Sequence, residues 1–131
     1  MQYLSHYTEI ITTKLLKSNQ AFYAFGQSQF DQKKVKGTQY VSVGQGLVVP
    51  KQNMEIVISG MMLVNKQAIA LDLAENGKDA IIQRELANYE CQISCDPSDA
   101  VGALVDYGIT EQEVQEGYKV FFAECIENDW F

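Results

Sequence analysis

The chain has 131 residues, 47% of them hydrophobic, seven Tyr, six Phe and one Trp among them, and a formal net charge of −7. That content rules out a disordered chain and suits one core, so we expect a single domain over residues 1–131. The charge is uneven: residues 79–131 hold twelve Asp or Glu against Arg84 and Lys119, while residues 1–78 hold eight Lys against five acids, a balance that disfavours phosphate and selects basic surfaces.

Residues 1–7 lack the basic region and apolar stretch of a secretory signal, which leads us to expect a cytoplasmic protein. Residues 8–17 predict a helix through Ile10, Ile11, Leu15 and Leu16, broken by Ser18-Asn19. The aromatic-rich residues 21–25 suit a strand closed by Gly26. Ser28 is then expected to cap a short helix that turns Phe30 and Val35 inward and Lys33, Lys34 and Lys36 to water. Tyr40-Val41-Ser42-Val43 and Leu47-Val48-Val49 flank Gly44-Gln45-Gly46, the pattern of a β-hairpin.

From residue 51 to about 75 the period changes to three and four, with Met54, Val57, Met61, Val64, Ala68 and Leu71 on one stripe of a long helix. Ile58, Met62, Ile69 and Leu73 widen that stripe, so we expect the central core helix, with a dimer seam as the alternative. Its longest greasy run, 56–64, is interrupted by Ser59 and Gly60 and falls short of the roughly 18 apolar residues of a membrane span. Asn76-Gly77 supplies a stop.

Residues 78–89 predict another helix, and Cys91-Gln92-Ile93-Ser94 alternates as a short strand does. Asp96-Pro97 reads as a cap and first helical residue, followed by an inner face of Ala100, Val101, Leu104 and Val105 and a stop at Gly108. Thr110 with Glu113 makes a capping box for a last helix whose apolar arc is Val114, Tyr118, Phe121, Phe122 and Cys125. The expected fold class is α+β: a helix-dominated domain with a small antiparallel sheet from residues 21–25, 40–49 and 91–94.

At 100° per residue Glu113, Glu116, Glu124 and Glu127 fall within an arc of about 80° opposite the apolar arc of that last helix. The ordinary explanation of this stripe is a solvated helix face; the functional one is a docking surface for a basic partner. Asp96, Asp99, Asp106, Glu111 and Asp129 would widen it into a patch. Duplex mimicry requires a second ridge, which the 96–106 helix supplies if it lies alongside.

Signals of catalysis are sparse. His6 is the only histidine and falls near an N-terminus expected to be mobile, a poor base for a nucleophile. Gly44 and Gly46 lack the capped helix and Gly-Lys-Ser/Thr of a nucleotide loop. Cys91, Cys95 and Cys125 lack the tight spacing of a zinc knuckle and read as reduced, buried thiols. Glu85 and Glu90, with Asn88 between them, are the pair that would serve a hydrolase or hold Mg²⁺. We expect no catalytic residue, cofactor or metal.

Phe22-Tyr23-Ala24-Phe25 followed by Gln29-Phe30, and Glu85-Leu86-Ala87-Asn88-Tyr89-Glu90 with Gly108-Ile109-Thr110 downstream, make the chain resemble a family of small uncharacterised proteins of bacteriophages and related mobile elements. Members of that family often carry His where Tyr89 stands and Ser or Thr near Gly26. The resemblance implies a mobile-element origin and no particular activity. Charge and resemblance together predict a small acidic, non-catalytic interaction protein, an inhibitor of the anti-CRISPR or anti-restriction type that occupies a basic site on a host nuclease or nucleic-acid-binding protein. Direct nucleic-acid or membrane contact is not expected. The alternatives are an immunity protein against a nuclease toxin, a small hydrolase or metal-dependent enzyme, and a homodimer formed through the stripe from Met54 to Leu71.

Overall fold

A computed structural model describes all residues, 1–131. In chain order the elements are α1 (Leu4–Ser18), β1 (Phe22–Tyr23), α2 (Gln27–Lys33), β2 (Tyr40–Ser42), β3 (Leu47–Pro50), α3 (Met54–Asn76), α4 (Lys78–Asn88), α5 (Cys91–Ser94), α6 (Ser98–Ala103) and α7 (Glu111–Asn128), with single 3-10 turns at Lys51–Asn53 and Val105–Tyr107. The fold class is α+β and helix-dominated, with a small antiparallel sheet. Two compact units make up the chain, Ser5–Ala68 and Met1–Leu4 with Ile69–Phe131.

In the Ser5–Ala68 unit the sheet order is β1-β3-β2, with both pairings antiparallel. The β-branched central strand is buried along its whole length, Leu47 to Pro50, because pairing on both edges satisfies its backbone while its side chains meet the core. Gly44, Gln45 and Gly46 all take positive φ, 100°, 54° and 81°, the conformation in which glycine meets no steric penalty, and they reverse the chain between β2 and β3. Leu16, Leu47, Val49 and Val57 form the core, with Ala21, Val41 and Val43 packed against it. Each such buried aliphatic side chain contributes about 1.5–3 kcal/mol. Helix α1 begins earlier than its apolar pattern suggested, and His6 lies inside it, its ring edge-on to Tyr7 at 5.3 Å.

Several expectations are corrected here. Ser28 lies within α2 rather than capping it, the cap position being Gly26, and Val35 beyond the helix is exposed. Helix α3 is not an all-round core helix: Val57, Val64, Ala68 and Ile69 are buried, but Ile56, Ile58, Met61, Met62, Leu63 and Leu71 are exposed. Apolar residues run around the whole cylinder, and only one arc is covered. The stretch Lys51–Asn76 is long and apolar enough to cross a membrane by length and composition, its mean hydropathy reaching 1.4 over an 18-residue window; the interrupted run at 56–64 gave no sign of this.

The other unit gathers α4 to α7. Its core includes Ile81, Ile82, Leu86, Leu104, Ile109, Val114 and Phe121, with Cys91 and Cys125 fully buried among them. Residues 91–94, expected as a strand, are the helical turn α5. Glu90 adopts a left-handed φ of 50° and its carbonyl accepts from Ile93 N at 3.0 Å, so the alternation of Cys91 and Ile93 reflects a turn with one side chain in and one out. Val105 likewise faces solvent, and Tyr107 takes the inward position.

Tyr107 belongs to a buried polar cluster. The Arg84 guanidinium donates from Nη1 to Asp72 Oδ1 at 2.9 Å, from Nε to Glu85 Oε2 at 2.8 Å and from Nη1 to the Gln2 carbonyl at 3.0 Å. Tyr107 donates its hydroxyl to Asp72 Oδ2, and Asn76 donates to Asp72 Oδ1 at 2.8 Å. Burial opposes the charge on Asp72, but the hydrogen bonds from Arg84, Tyr107 and Asn76 outweigh it and hold the carboxyl below its ordinary range. Burial, with the bond to Asp72, raises the Tyr107 phenol. Deleting one member of such a set leaves an opposite charge buried and unpaired, at a cost of about 3–5 kcal/mol. Arg84→Met is therefore expected to lower stability by that amount and Tyr107→Phe by about 1–2 kcal/mol. Urea unfolding of both variants decides it, and an Arg84→Met midpoint equal to that of the parent would show that the cluster does not hold the unit together.

Candidate functional site

The last helix is started by its own sequence. Thr110 Oγ1 accepts from Glu113 N at 3.2 Å, and the Glu113 carboxylate accepts from Thr110 N at 3.0 Å, so two otherwise orphan backbone donors are satisfied reciprocally. Lys78 at the start of α4 donates to the other Glu113 oxygen at 2.8 Å. This carboxylate thus joins the beginnings of α4 and α7.

Helix α7 packs tightly against α4 at Gly117. A β-carbon there would lie 2.5 Å from Ile82 Cγ2, and the Gly117 carbonyl accepts from Gln83 Nε2 at 3.0 Å. The missing side chain lets the helices close and leaves a surface groove of about 410 Å³. Asp79, Ile82 and Gln83 of α4 line it, facing Glu113, Glu116, Gly117, Val120 and Glu124 of α7. Four carboxylates therefore share the lining with an apolar strip of buried Ile82 and exposed Val120. A lysine or arginine fits such a surface, its methylene stem along the strip and its charge at the rim.

Of the residues expected to bind a partner, Glu113, Glu116 and Glu124 come together in the groove. Glu127 is exposed farther along α7 and does not line it. Asp96 accepts hydrogen bonds from the Ser98 backbone and hydroxyl, which holds its carboxyl below the ordinary range and shapes the entry to α6. Asp99, Asp106 and Glu111 are exposed at the starts of short or terminal helical turns, and Asp129 sits at the left-handed residue that ends α7. None of these five lines the groove. The facing carboxylate is Asp79 of α4, which sequence reasoning missed although Asp79, Ile82 and Gln83 share an i, i+3, i+4 face.

The residues weighed for catalysis are not gathered. Glu85 is buried against Arg84, whereas Asn88 and Glu90 are exposed, and none lines the groove. Cys91 and Cys125 are buried and burial raises both thiols, while Cys95 is exposed, contrary to the expectation of three buried thiols.

The family of unknown function DUF7659 matches residues 4–123, and the chain belongs to it. No curated protein and no solved structure matches.

The Lys78 ammonium, with the Thr110 backbone N–H, holds the Glu113 carboxyl down to about 2, from an ordinary value of 4.5. The folded protein then binds fewer protons than the unfolded chain in this range, so the contribution of Glu113 is complete above the ordinary value and disappears as pH falls through about 2. Glu113→Gln is expected to destabilise the protein at pH 7 and to match the parent near pH 2; a pH series of urea unfolding reads this directly, and a gap independent of pH would contradict it. Gly117→Ala tests the close approach. Helix propensity alone favours alanine by about 1 kcal/mol, but overpacking against Ile82 costs about 1–3 kcal/mol. Net destabilisation is expected by thermal unfolding, and a raised Tm would show that the helices separate freely.

Proposed function

We propose that this member of the DUF7659 family is a non-catalytic protein-binding module that receives a basic surface of another protein in the groove between α4 and α7. One observation carries the reading: Asp79, Glu113, Glu116 and Glu124 rim a single groove, and the only cation paired with any of them is Lys78. The remainder of the unit reinforces the sign of the field, since residues 69–131 hold fourteen acids against Lys78, Arg84 and Lys119, and Arg84 is buried and already paired. Such a field steers a cationic partner and makes association depend on salt.

The basic partner that best fits is a nuclease or other nucleic-acid-binding protein inside the cell. Glu113 and Glu116, three residues apart on α7, stand about 5–6 Å from one another, and Glu124 follows about 12 Å farther along the helix, a sparse row of charge that a phosphate-binding surface can accept in place of part of a strand. Such a module would act as an inhibitor by occupying that surface. An origin in a phage or mobile element, of the anti-CRISPR or anti-restriction kind, belongs to this proposal and is supported by the motif resemblance around Phe22 and Glu85. An immunity protein would use the same groove and differ in the protein it neutralises.

The test is reversal of the charges that have no structural partner. Glu116→Lys with Glu124→Lys leaves the Thr110–Glu113 cap intact. Proteins captured from lysate by the parent chain are purified and titrated against both forms at low and high salt. The double variant is expected to bind more than tenfold more weakly, and the parent's association rate to fall at least about tenfold as salt screens the field. Equal binding by both forms, or an affinity indifferent to salt, would remove the groove as the binding surface.

A further inference from the structure

We infer that the chain associates with a second copy of itself by seating the aromatic segment that follows α7, Trp130-Phe131, of one molecule in an apolar groove on the Ser5–Ala68 unit of the other. That groove, of about 670 Å³, lies where the β2–β3 turn meets α3, with Tyr23, Val43, Leu47, Ile58, Met61 and Met62 among its walls. Its volume falls in the range of sites that enclose several apolar groups. Met62 is 80% exposed and Ile58 and Met61 are exposed beside it; methionines adapt their shape to an incoming side chain. Nothing within the unit covers them.

The unit that carries this groove is net basic, although the groove's own walls are uncharged. Residues 5–68 hold seven Lys against three acids, and the Lys33 ammonium donates to the Tyr23 carbonyl at 2.7 Å, which fixes a cation on the strand that forms one wall. A complementary occupant is apolar, rigid and flanked by acids. The end of α7 answers that description. Ile126, Trp130 and Phe131 are 60%, 54% and 61% exposed, and Glu127 and Asp129 lie between them. This segment is held in place: Trp130 N donates to the Cys125 carbonyl at 2.9 Å, its own carbonyl accepts from Gln92 at 3.0 Å, and the Phe131 ring stands edge-on to Phe122 at 5.9 Å. A tryptophan ordered before binding loses little entropy on docking and is the residue type most often found at interface hot spots.

Each surface is exposed, and the proposed pairing is between copies. It joins two different patches and is heterologous: such contacts close into rings or run on as filaments, with reciprocal exchange giving the smallest closed form. The inference stands apart from the acidic groove, which contains neither Met62 nor Trp130.

Sedimentation velocity of the full chain over a concentration series, at low and high salt, tests it with Met62→Asp and Trp130→Ala. The parent is expected to self-associate, more weakly in high salt, and each variant alone to associate more than tenfold more weakly. An equimolar mixture of the two is expected to regain a complex, because one partner keeps its Trp130 segment and the other its groove. Circular dichroism confirms that both variants are folded, and Trp130→Ala carries the test if Met62→Asp is not. A parent that stays monomeric at every concentration overturns the inference. Association that survives Trp130→Ala overturns it in favour of a symmetric α3 seam. Binding of a monomer to phosphatidylcholine–phosphatidylserine vesicles, lost in Met62→Asp, overturns it in favour of a membrane surface.

Discussion

A single guanidinium organises the acidic part of this protein. Arg84 is the only arginine in the chain, and its donors reach residues from α3, α4, the 3-10 turn and the N-terminal segment. A lysine could not do this, because its three donors radiate from one atom and lack the planar fork that engages Asp72 and Glu85 at once. The two carboxylates exceed the one cation. What makes the excess tolerable is that hydrogen bonds from Tyr107 and Asn76 fill the remaining lone pairs of Asp72, the condition under which buried charge is stable at all.

With those two acids turned inward, the other carboxylates of the unit remain available to solvent, and their arrangement follows from helix packing. The groove exists because α7 has no side chain at Gly117, where Ile82 of α4 presses against the backbone. Glu113 then has two tasks, since it caps its own helix and accepts from Lys78. Glu116 and Glu124 make no such bond, so no ion pair offsets the charge they carry. The other unit has the opposite sign of charge, and its open groove is walled by exposed methionine and isoleucine rather than by carboxylates. One chain therefore presents two surfaces that differ in charge and in chemistry.

Signals confined to a few consecutive residues were legible in the sequence. The Thr110–Glu113 cap, the Gly44-Gln45-Gly46 turn and the Asn76-Gly77 break each encode a local backbone conformation, and the helices and hairpin they bound stand where they were expected. Alternation at 91–94 misled because a two-residue period over four residues is equally met by a turn, and what settled it was the left-handed Glu90, which no propensity announces. The burial of α3 was misread for the converse reason. Its apolar residues cover every face, so the period that ordinarily names the inward side carries no direction. Within the candidate site, the α7 stripe was visible from its spacing, whereas Asp79 depends on which helix packs against α7. Asp72 was visible in principle as an acid four residues beyond buried Ala68, on the same arc; what was missing was its pairing with an arginine twelve residues on.

The sheet has a further bearing on how this protein behaves in a crowded solution. Its two outer strands are two and three residues long, and the long, wholly buried strand is the one in the middle. Unpaired amides at a sheet margin are the usual template on which foreign chains extend a ladder and polymerise. Here the strand with the greatest tendency to recruit another is flanked on both sides, and the margins are too brief to direct growth of a cross-β stack.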